Sequence, residues 1–225
     1  MFAYDFHTHI LPGIDDGSPD VETSVRMIRA LQAQGVEKIV LTPHYYAENE
    51  SVAEFLKRRE ESYATLMAAP EASTFPPMLL GAEVRLKQGL SQDPDIAKLC
   101  IGDTRLLLLE FPYIKHAPWM MQEVENLTYQ LDIVPVLAHI DRFLVWGFMT
   151  DKQLAEAMAF EDAIIQINNE VLEERASKKI FKKLLKNGVP FLLGSDTHNM
   201  NNRPPNFDKM ADFLRKYDYE QPEIE

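Results

Sequence analysis

The chain has 225 residues, 46% of them hydrophobic, and a formal net charge of −12 at pH 7. This length suits one domain with a full core, and the acidic balance argues against general binding to nucleic acid or to anionic membrane surfaces. The single cysteine, Cys100, excludes a disulfide framework, and no apolar run reaches transmembrane length. We therefore expect one soluble, cytoplasmic domain over residues 1–225, with no membrane insertion.

The first predicted strand, residues 2–7, leads into a loop rich in polar side chains. His7 and His9 are two residues apart, and side chains at this spacing on a strand point to the same side. Both imidazoles can therefore reach one metal ion. A glycine-containing turn follows and can bring a carboxylate back over the strand end. The residues alone do not decide whether this is Asp15 or Asp16.

Helices and strands then alternate along the chain. Ser18 and Pro19 predict the N-cap and the first position of a helix that ends at Gly35. Further helices are predicted over residues 52–67, 119–131, 152–160, 177–187 and 207–217. Further strands are predicted over residues 38–42, 78–82, 105–109, 133–138, 163–167 and 190–193.

Several of these strands are continuous apolar runs, such as residues 39–41, 106–109 and 134–137. Continuous runs indicate burial on both faces, as in parallel sheets that helices cover. Seven strand–helix units in order predict an α/β fold of the TIM-like barrel type with one unit fewer than eight, a (β/α)7 barrel. A doubly wound open sheet is the alternative.

Histidines and carboxylates recur where the predicted strands end. A lone His or Glu after a strand is more often a loop residue than a ligand, but this repetition at six of the seven strands favours metal binding. So many oxygen and nitrogen ligands suggest two or three ions with bridging carboxylates, and the ligand types do not select among Mn, Fe, Zn and Mg. The candidate ligands are His7, His9, Asp16, His44, Glu83, Glu110, His139, Asp196 and His198.

The charge of such a site favours phosphate chemistry. Four carboxylates and three divalent ions leave a charge of roughly +2, and clustered metals can generate hydroxide and hold phosphoryl oxygens. Arg142 and Arg203 follow the fifth and seventh strands and are candidates for binding phosphate. His198 is a candidate proton donor to the leaving group. Cys100 has no phosphate-binding loop ending in Arg after it, and neither a nucleophile elbow nor a Gly-rich nucleotide loop is present.

Some residues near these strand ends have roles that the sequence leaves open. Asn168 ends the sixth strand and either orients a ligand or satisfies the backbone. Tyr45, Tyr46, Tyr113 and Trp119 follow the second and fourth strands and form either an aromatic wall for a phenyl ring or ordinary packing.

Six short motifs occur in order from the first strand to the seventh: HTHILPGIDDG (7–17), TPH (42–44), GAE (81–83), LEFP (109–112), AHIDR (138–142) and SDTHN (195–199). Together they resemble the PHP (polymerase and histidinol phosphatase) superfamily and, more narrowly, its bacterial capsule- and exopolysaccharide-associated tyrosine phosphatases. Where that family often has Glu before the arginine that follows the fifth strand, this chain has Asp141, a change outside the ligand set.

The resemblance implies a distorted (β/α)7 barrel with three divalent ions, often manganese, at the carboxyl ends of the strands. It implies a phosphotyrosine substrate on the tail of a bacterial tyrosine kinase that controls capsule or exopolysaccharide synthesis. Arg142 and Arg203 match positions thought to bind phosphate, and Asp16 rather than Asp15 matches the ligand position. By analogy the ion groups are His7, His9, Glu83 and Asp196; Glu83, Glu110 and His139; and Asp16, His44 and His198.

The leading hypothesis is therefore a metal-dependent protein-tyrosine phosphatase. One alternative is a small-molecule phosphomonoesterase such as histidinol phosphatase, although that branch usually places His in the Asp15–Gly17 turn. Metal-assisted amide hydrolysis is disfavoured because no lysine stands at a strand end to carry a bridging carbamate. A non-catalytic, metal-dependent binding module is the alternative of another class.

Overall fold

The computed structural model describes residues 2–169, 175–189, 191–210 and 219, in which strands and helices alternate. The strands there are β1 (Phe2–Thr8), β2 (Val36–Leu41), β3 (His44–Tyr45), β4 (Met78–Leu80), β5 (Glu83–Arg85), β6 (Leu106–Glu110), β7 (Val134–Leu137), β8 (Ile164–Asn168) and β9 (Phe191–Gly194). The helices are α1 (Val21–Ala33), α2 (Val52–Met67), α3 (Pro118–Leu131), α4 (Ile140–Val145), α5 (Asp151–Met158) and α6 (Arg175–Asn187). None of these helices is long and apolar enough to cross a membrane.

The strands form two sheets in which all pairs are parallel. One sheet has the order β1-β2-β4, and the other has the order β3-β5-β6-β7-β8-β9. Neighbouring strands follow chain order without a reversal, which separates this fold from a doubly wound sheet. The fold is thus α/β with parallel sheets, as predicted, but its strands lie in two sheets rather than one.

The division into two sheets falls at the ends of two of the predicted strands. The predicted strand 78–82 is observed as β4, and β5, which was not predicted, follows it after a short gap; β3, also not predicted, likewise follows β2. Thr42 N donates to Thr8 O at 3.0 Å and Glu83 N to Pro43 O at 3.0 Å, so backbone pairing continues across the gaps. Pro43 has no N–H to donate, which helps to explain the interruption.

The ends of the first and last strands also meet. Asp196 N donates to His7 O at 2.8 Å, and His9 N donates to Thr197 O at 2.9 Å. Thr8 and Thr197 form an isolated parallel bridge. The segment after β9 therefore lies beside the segment after β1, on the same side of the sheets.

Alternate side chains of the strands pack in two separate clusters. The smaller cluster takes residues from both sheets and contains no helical residue; the larger cluster lies between the strands and the helices. Adjacent strand residues pointing to opposite faces produce this division. The smaller cluster consists of Tyr4, Phe6, Val40, Ile101, Leu108, Val136, Ala138 and Leu192.

The start of α1 differs from the prediction. Its N-cap is Asp20, whose carboxylate accepts from Thr23 N at 2.8 Å, whereas Ser18 was predicted. Ser18 is instead buried, and its N–H donates to the carbonyl of His9 at 2.9 Å. This bond keeps Ser18 with the loop after β1, so the helix begins later. Gly35 follows the helix with a φ of +89°, as expected of a helix-ending glycine.

Most other elements agree with the prediction to within about two residues. Helix α2 has the predicted bounds because Ser51 and Glu54 form a capping box. Helix α4 was not predicted, since it begins directly after a strand-end motif and spans only six residues. Of the predicted helix 207–217, residues 208–210 are helical and the remainder lies outside the described residues.

Candidate metal centre

All nine predicted ligands lie together at the carboxyl ends of the strands. Their nitrogen and oxygen atoms form overlapping groups, within each of which the atoms lie within 4.8 Å of one another. The sequence prediction of a shared location is thus met by the structure, while metal binding itself stays a prediction. The groups are His9, Asp16, His44 and His198; His7, His139 and Asp196; His7, His9 and Glu83; and His44, Glu83 and Glu110.

The imidazoles of His7 and His9 each lie close to two carboxylates. His7 Nε2 and His9 Nε2 are 3.1 Å apart. Glu83 Oε2 is 3.2 Å from His7 Nε2 and 3.3 Å from His9 Nε2. Asp196 Oδ1 lies 3.5 and 3.4 Å from the same two nitrogens. Ligands about 2.1 Å from a tetrahedral ion are about 3.4 Å apart, so the two imidazoles have the spacing of ligands that share an ion with either carboxylate.

The other oxygen of Glu83 faces a second group. Glu83 Oε1 lies 3.0 Å from His139 Nε2, which is 3.7 Å from Glu110 Oε1. The Glu83 carboxylate therefore stands between two sets of ligands. This is the position that a bridging carboxylate takes between neighbouring ions.

A third group lies towards the surface. Asp16 Oδ1 is 3.4 Å from both His44 Nε2 and His198 Nε2. The Asp16 side chain is 67% exposed, whereas that of His198 is 2% exposed. This exposure makes Asp16 the ligand nearest to solvent in its group.

Several buried polar atoms of the site have no hydrogen-bond partner among the described residues. They include His198 Nε2, Glu83 Oε2 and His44 Nδ1. Buried polar atoms are nearly always paired, so unpaired atoms that face a common space need another partner. A set of imidazole nitrogens and carboxylate oxygens suits a divalent cation of the Mn, Fe or Zn type. The residues present therefore fit bound metal ions.

The two aspartates of the first loop have different roles. Asp15 Oδ2 accepts a hydrogen bond from His9 Nδ1 at 2.8 Å and another from His44 N at 3.0 Å. The first bond leaves His9 Nε2 free for a metal, which is how outer carboxylates orient histidine ligands. Asp16 faces the ligand cluster, so the structure distinguishes two residues that the sequence alone could not.

Gln166 connects three candidate ligands and was missed by the sequence analysis. Its Oε1 accepts from His7 Nδ1 at 3.1 Å and from His139 N at 3.0 Å. Its Nε2 donates to Asn168 Oδ1 at 2.9 Å, and Asn168 Nδ2 donates to Asp196 Oδ2 at 2.8 Å. The open role of Asn168 is thus that of an orienting residue. A Gln in the middle of an apolar strand was the available signal, because a buried amide needs partners.

Asp5, two residues before His7 in β1, supports the ligand cluster. Its carboxylate accepts from Ser195 N at 2.9 Å and from Ser195 Oγ at 2.6 Å, which ties β1 to the segment after β9. Burial raises the pKa of Asp5 to about 7, against the opposing hydrogen bonds from Ser195. Asp5 Oδ1 also accepts from His7 N at 3.3 Å, so Asp5 holds the chain near the ligands.

The carboxylates and His198 have the charge state that a cation requires. Although burial opposes it, neighbouring carboxylates raise the pKa of His7 and His9, so metal binding must displace protons from these two imidazoles. Burial opposes ionisation of Glu83 and Asp196, but neighbouring histidines, and Arg142 beside Asp196, hold the pKa of both carboxyls well below their usual values. Metal ligands must be deprotonated, and these carboxylates are so at neutral pH. Burial lowers the pKa of His198, which keeps its imidazole neutral and able to bind a metal.

The pocket above the ligands has a volume of about 140 Å³ and contains three arginines. Arg142 Nη1 lies 2.8 Å from Asp196 Oδ2, and Arg203 pairs with the same oxygen. Both predicted arginines therefore reach the site. The third, Arg85, was not predicted; its Nε and Nη2 donate to Glu110 Oε2 at 3.3 and 3.2 Å.

Two of the four aromatic residues whose role the sequence left open line this pocket. Tyr46 and Tyr113 do, and their ring centroids lie 4.3 and 5.4 Å from the Arg85 guanidinium. Tyr45 is instead buried against Phe55 in the core, and Trp119 packs at the core margin. Tyr45 and Tyr46 differ because neighbouring strand residues point to opposite faces.

Parallel α/β architecture, with histidines and carboxylates collected at the strand ends, defines a protein with a candidate metal centre. Residues 3–223 match the family described as capsular polysaccharide synthesis, CpsB/CapC, and the chain belongs to this family.

Curated and solved relatives agree with this assignment. The tyrosine-protein phosphatase YwqE of Bacillus subtilis is 33% identical over 153 residues, 61% of this chain and 54% of that protein. The match thus spans about half the length of YwqE. The tyrosine-protein phosphatase CpsB of Streptococcus pneumoniae is 26% identical over 227 residues, 94% of this chain and 89% of that protein.

Two solved structures show the same architecture. One comes from work on YwqE and CpsB, described as metal-dependent tyrosine phosphatases; it has 26% identity, a TM-score of 0.69 and coverage of 95% of this chain and 86% of that one. The other is a histidinol phosphate phosphatase from Lactococcus lactis, with 14% identity, a TM-score of 0.55 and coverage of 98% and 94%. The second likeness concerns the fold alone.

Proposed function

We propose that this chain is a metal-dependent protein-tyrosine phosphatase, a phosphoric monoester hydrolase. The observation that carries the proposal is the convergence of nine candidate ligands beneath a pocket that contains three guanidinium groups. Similarity to relatives named tyrosine-protein phosphatases supports it.

Three divalent ions, manganese first among the candidates, are proposed as the cofactor. Glu83 would be shared between two of them, because its two oxygens face different ligand sets. When bound, such ions supply an activated water nucleophile and neutralise charge on the phosphoryl group. Their proposed ligands are His7, His9, Asp16, His44, Glu83, Glu110, His139, Asp196 and His198.

The arginines of the pocket are proposed to bind the phosphoryl group. Arg142 and Arg203 both pair with Asp196, so their guanidinium groups stand beside the ligand cluster. Guanidinium forks match phosphoryl oxygens and remain charged at all working pH values. Arg85 differs from them because two of its hydrogen bonds go to Glu110 and a third goes to the Tyr46 hydroxyl at 3.4 Å. We assign it the positioning of that carboxylate.

His198 is better suited to holding a metal than to donating a proton. Its Nε2 faces Asp16 in the third ligand group, and burial keeps its pKa low. With this nitrogen occupied, a neutral imidazole carries its proton on Nδ1, which faces the backbone carbonyl of Asp196 at 3.0 Å and not a leaving group. We therefore propose a ligand role for His198, while its predicted role as general acid stays untested.

We further propose that the two sheets belong to one distorted (β/α)7 barrel. Two kinds of contact support this interpretation: the backbone hydrogen bonds from Asp196 to His7 and from His9 to Thr197, and the small cluster that combines side chains of both sheets. In such a barrel the chemistry lies at the carboxyl ends of the strands, where these ligands are.

The substrate is proposed to be phosphotyrosine on the tail of a bacterial tyrosine kinase that controls capsule or exopolysaccharide synthesis. Membership of the CpsB/CapC family supports the link to polysaccharide synthesis. The cytoplasmic location and manganese as the native metal stay predictions.

Turnover assays test the proposal directly. Metal-stripped protein is expected to hydrolyse p-nitrophenyl phosphate and a phosphotyrosine peptide only after Mn²⁺, Fe²⁺, Zn²⁺ or Mg²⁺ is restored. Arg142→Met should lower kcat/KM for both substrates by about 100-fold. Arg29→Met, which removes only an exposed ion pair with Glu71, should have no effect.

Two results would end the proposal in its present form. One is that none of the four metals supports turnover. The other is a higher kcat/KM for histidinol phosphate than for the phosphotyrosine peptide, which would favour the small-molecule phosphatase instead.

A further inference from the structure

Exposed hydrophobic side chains are concentrated beside the proposed active site. Among the described residues, six large hydrophobic side chains are exposed, and four of them lie in two segments near the pocket, the loop after β6 and the end of α4 with the residue that follows it. We call these four the rim patch: Tyr113 (39% exposed), Ile114 (52%), Val145 (37%) and Trp146 (52%). Single exposed hydrophobic residues need no explanation, whereas a contiguous group typically marks a binding surface.

The two segments that carry the rim patch are joined by hydrogen bonds. His116 N donates to Phe148 O at 2.8 Å, and Lys115 Nζ donates to the carbonyl of Gly147. The Tyr113 ring stacks on Phe143 with centroids 5.7 Å apart. The patch is therefore built before any ligand arrives, which reduces the entropic cost of binding.

The rim patch is continuous with the pocket. The Tyr113 hydroxyl donates to Glu110, a candidate ligand, and the Tyr113 ring centroid lies 5.4 Å from that of Trp146. Trp146 in turn lies 5.8 Å from the guanidinium of Arg142, which pairs with Asp196. A group bound in the pocket would thus have the rim patch as its neighbour.

The size of the pocket explains why a substrate must use this surface. Pockets that enclose a drug-sized ligand hold about 300 Å³ or more, whereas this one holds about 140 Å³. It can take a phosphoryl group and part of an aryl ring, and the rest of the substrate must lie on the rim. One side of that rim is the apolar rim patch, and a chain with a net charge of −12 does not favour acidic neighbours there.

We propose that the rim patch binds the polypeptide that carries the phosphotyrosine, through an apolar or aromatic side chain close to it in sequence. This inference rests on the proposed phosphatase function and adds a substrate preference to it. Burial of one such side chain against the patch is worth about a tenfold gain in kcat/KM.

Peptide pairs provide the test on the metal-loaded enzyme. The wild type is expected to hydrolyse a phosphotyrosine peptide with Leu and Phe beside the phosphotyrosine about ten times more efficiently than one with Ser there. Ile114→Ser should remove most of this preference and leave kcat/KM for p-nitrophenyl phosphate unchanged. Tyr129→Ser is the matched control, since Tyr129 is 72% exposed and its hydroxyl bonds Asp162, outside both the rim patch and the residues that line the pocket.

Three outcomes would overturn the inference. The wild type could hydrolyse both peptides equally, or Ile114→Ser could leave the preference intact. If light scattering showed that the wild type forms a dimer and Ile114→Ser does not, with peptide selectivity unchanged, the patch would be assigned to contact between copies of the chain. Failure of the wild type to hydrolyse any phosphotyrosine peptide would instead count against the proposed function itself.

Discussion

Gln166→Leu is the substitution that tests most directly how the candidate ligands are held. Leucine has a similar size, so it removes the amide without leaving a large void. The amide oxygen accepts from His7 Nδ1 and from His139 N, and the amide nitrogen donates to Asn168. All of these groups are buried, so water cannot replace the lost partners.

The expected loss follows from those contacts. Each buried donor left without an acceptor costs about 1–3 kcal/mol, and Gln166→Leu leaves two, on His7 and His139. The free energy of unfolding of the metal-free protein should therefore fall by about 4 kcal/mol. Metal affinity should fall by about 10- to 100-fold, because His7 loses the bond that directs its Nε2 at the ion.

Urea denaturation of the metal-free protein and calorimetric Mn²⁺ titration measure the two effects separately. Gln153→Leu is the control, because Gln153 bonds Thr150 in an exposed capping box and is not among the residues that line the pocket. It should cost about 1 kcal/mol and leave metal affinity unchanged. If Gln166→Leu kept both the stability and the Mn²⁺ affinity of the wild type, the reasoning that the amide orients the ligands would be refuted.

Three further predictions concern stability. Gly194→Ala should lower the free energy of unfolding, measured by urea denaturation, by about 1–3 kcal/mol, because an added Cβ would lie 2.5 Å from the Cβ of His7. An unchanged urea midpoint would mean that β1 and β9 are less tightly packed than described. Although burial opposes ionisation, hydrogen bonds from Ser91 and Gly89 hold the pKa of Glu123 below its usual value of 4.5. Glu123→Gln should therefore lower stability by about 2 kcal/mol at pH 7, with the difference from wild type shrinking as the pH falls below 4.5; a difference independent of pH would contradict this account. Chelation should lower the thermal midpoint and Mn²⁺ should restore it, by the equivalent of about 2.7 kcal/mol at 100 times the dissociation constant; equal scans with and without metal would argue against a bound ion.

The locations of the ligands could be predicted because each depends on local information. A histidine or carboxylate directly after an apolar run, as at Glu110 or His139, is visible in the sequence. Parallel strands in chain order then bring such positions to one edge whatever their separation along the chain. The prediction depended on where the strands end and on the parallel class of sheet. The strand ends were correct to within a few residues, and the sheets are parallel as expected.

Residues that act on the ligands from a distance could not be predicted in this way. Arg85 and Gln166 reach their partners across 25 and 159 residues. Neither stands directly after a predicted strand, and each belongs to a residue type that is usually solvated or simply paired. Their roles arise from contacts that exist only after folding: a Gln inside an apolar strand indicates that its amide needs partners, but not which residues those partners are.

Backbone conformation at the site shows why ligand orientation also escaped prediction. His139 and Asp196 have φ values of +30° and +51°, and only one other non-glycine residue in the described part of the chain, Asp132, has a positive φ. This conformation is unfavourable for residues with a Cβ, and such strain persists only where surrounding contacts enforce it. At His139 the enforcing contact is the Gln166 amide on its N–H, and at Asp196 it is the bond from its N–H to His7 O. The same contacts that hold the backbone in this state also direct the imidazole and the carboxylate towards the shared space. Strain at these two ligands is therefore coupled to the orienting network, and a substitution that relieves the network should let the backbone relax and the ligands turn away.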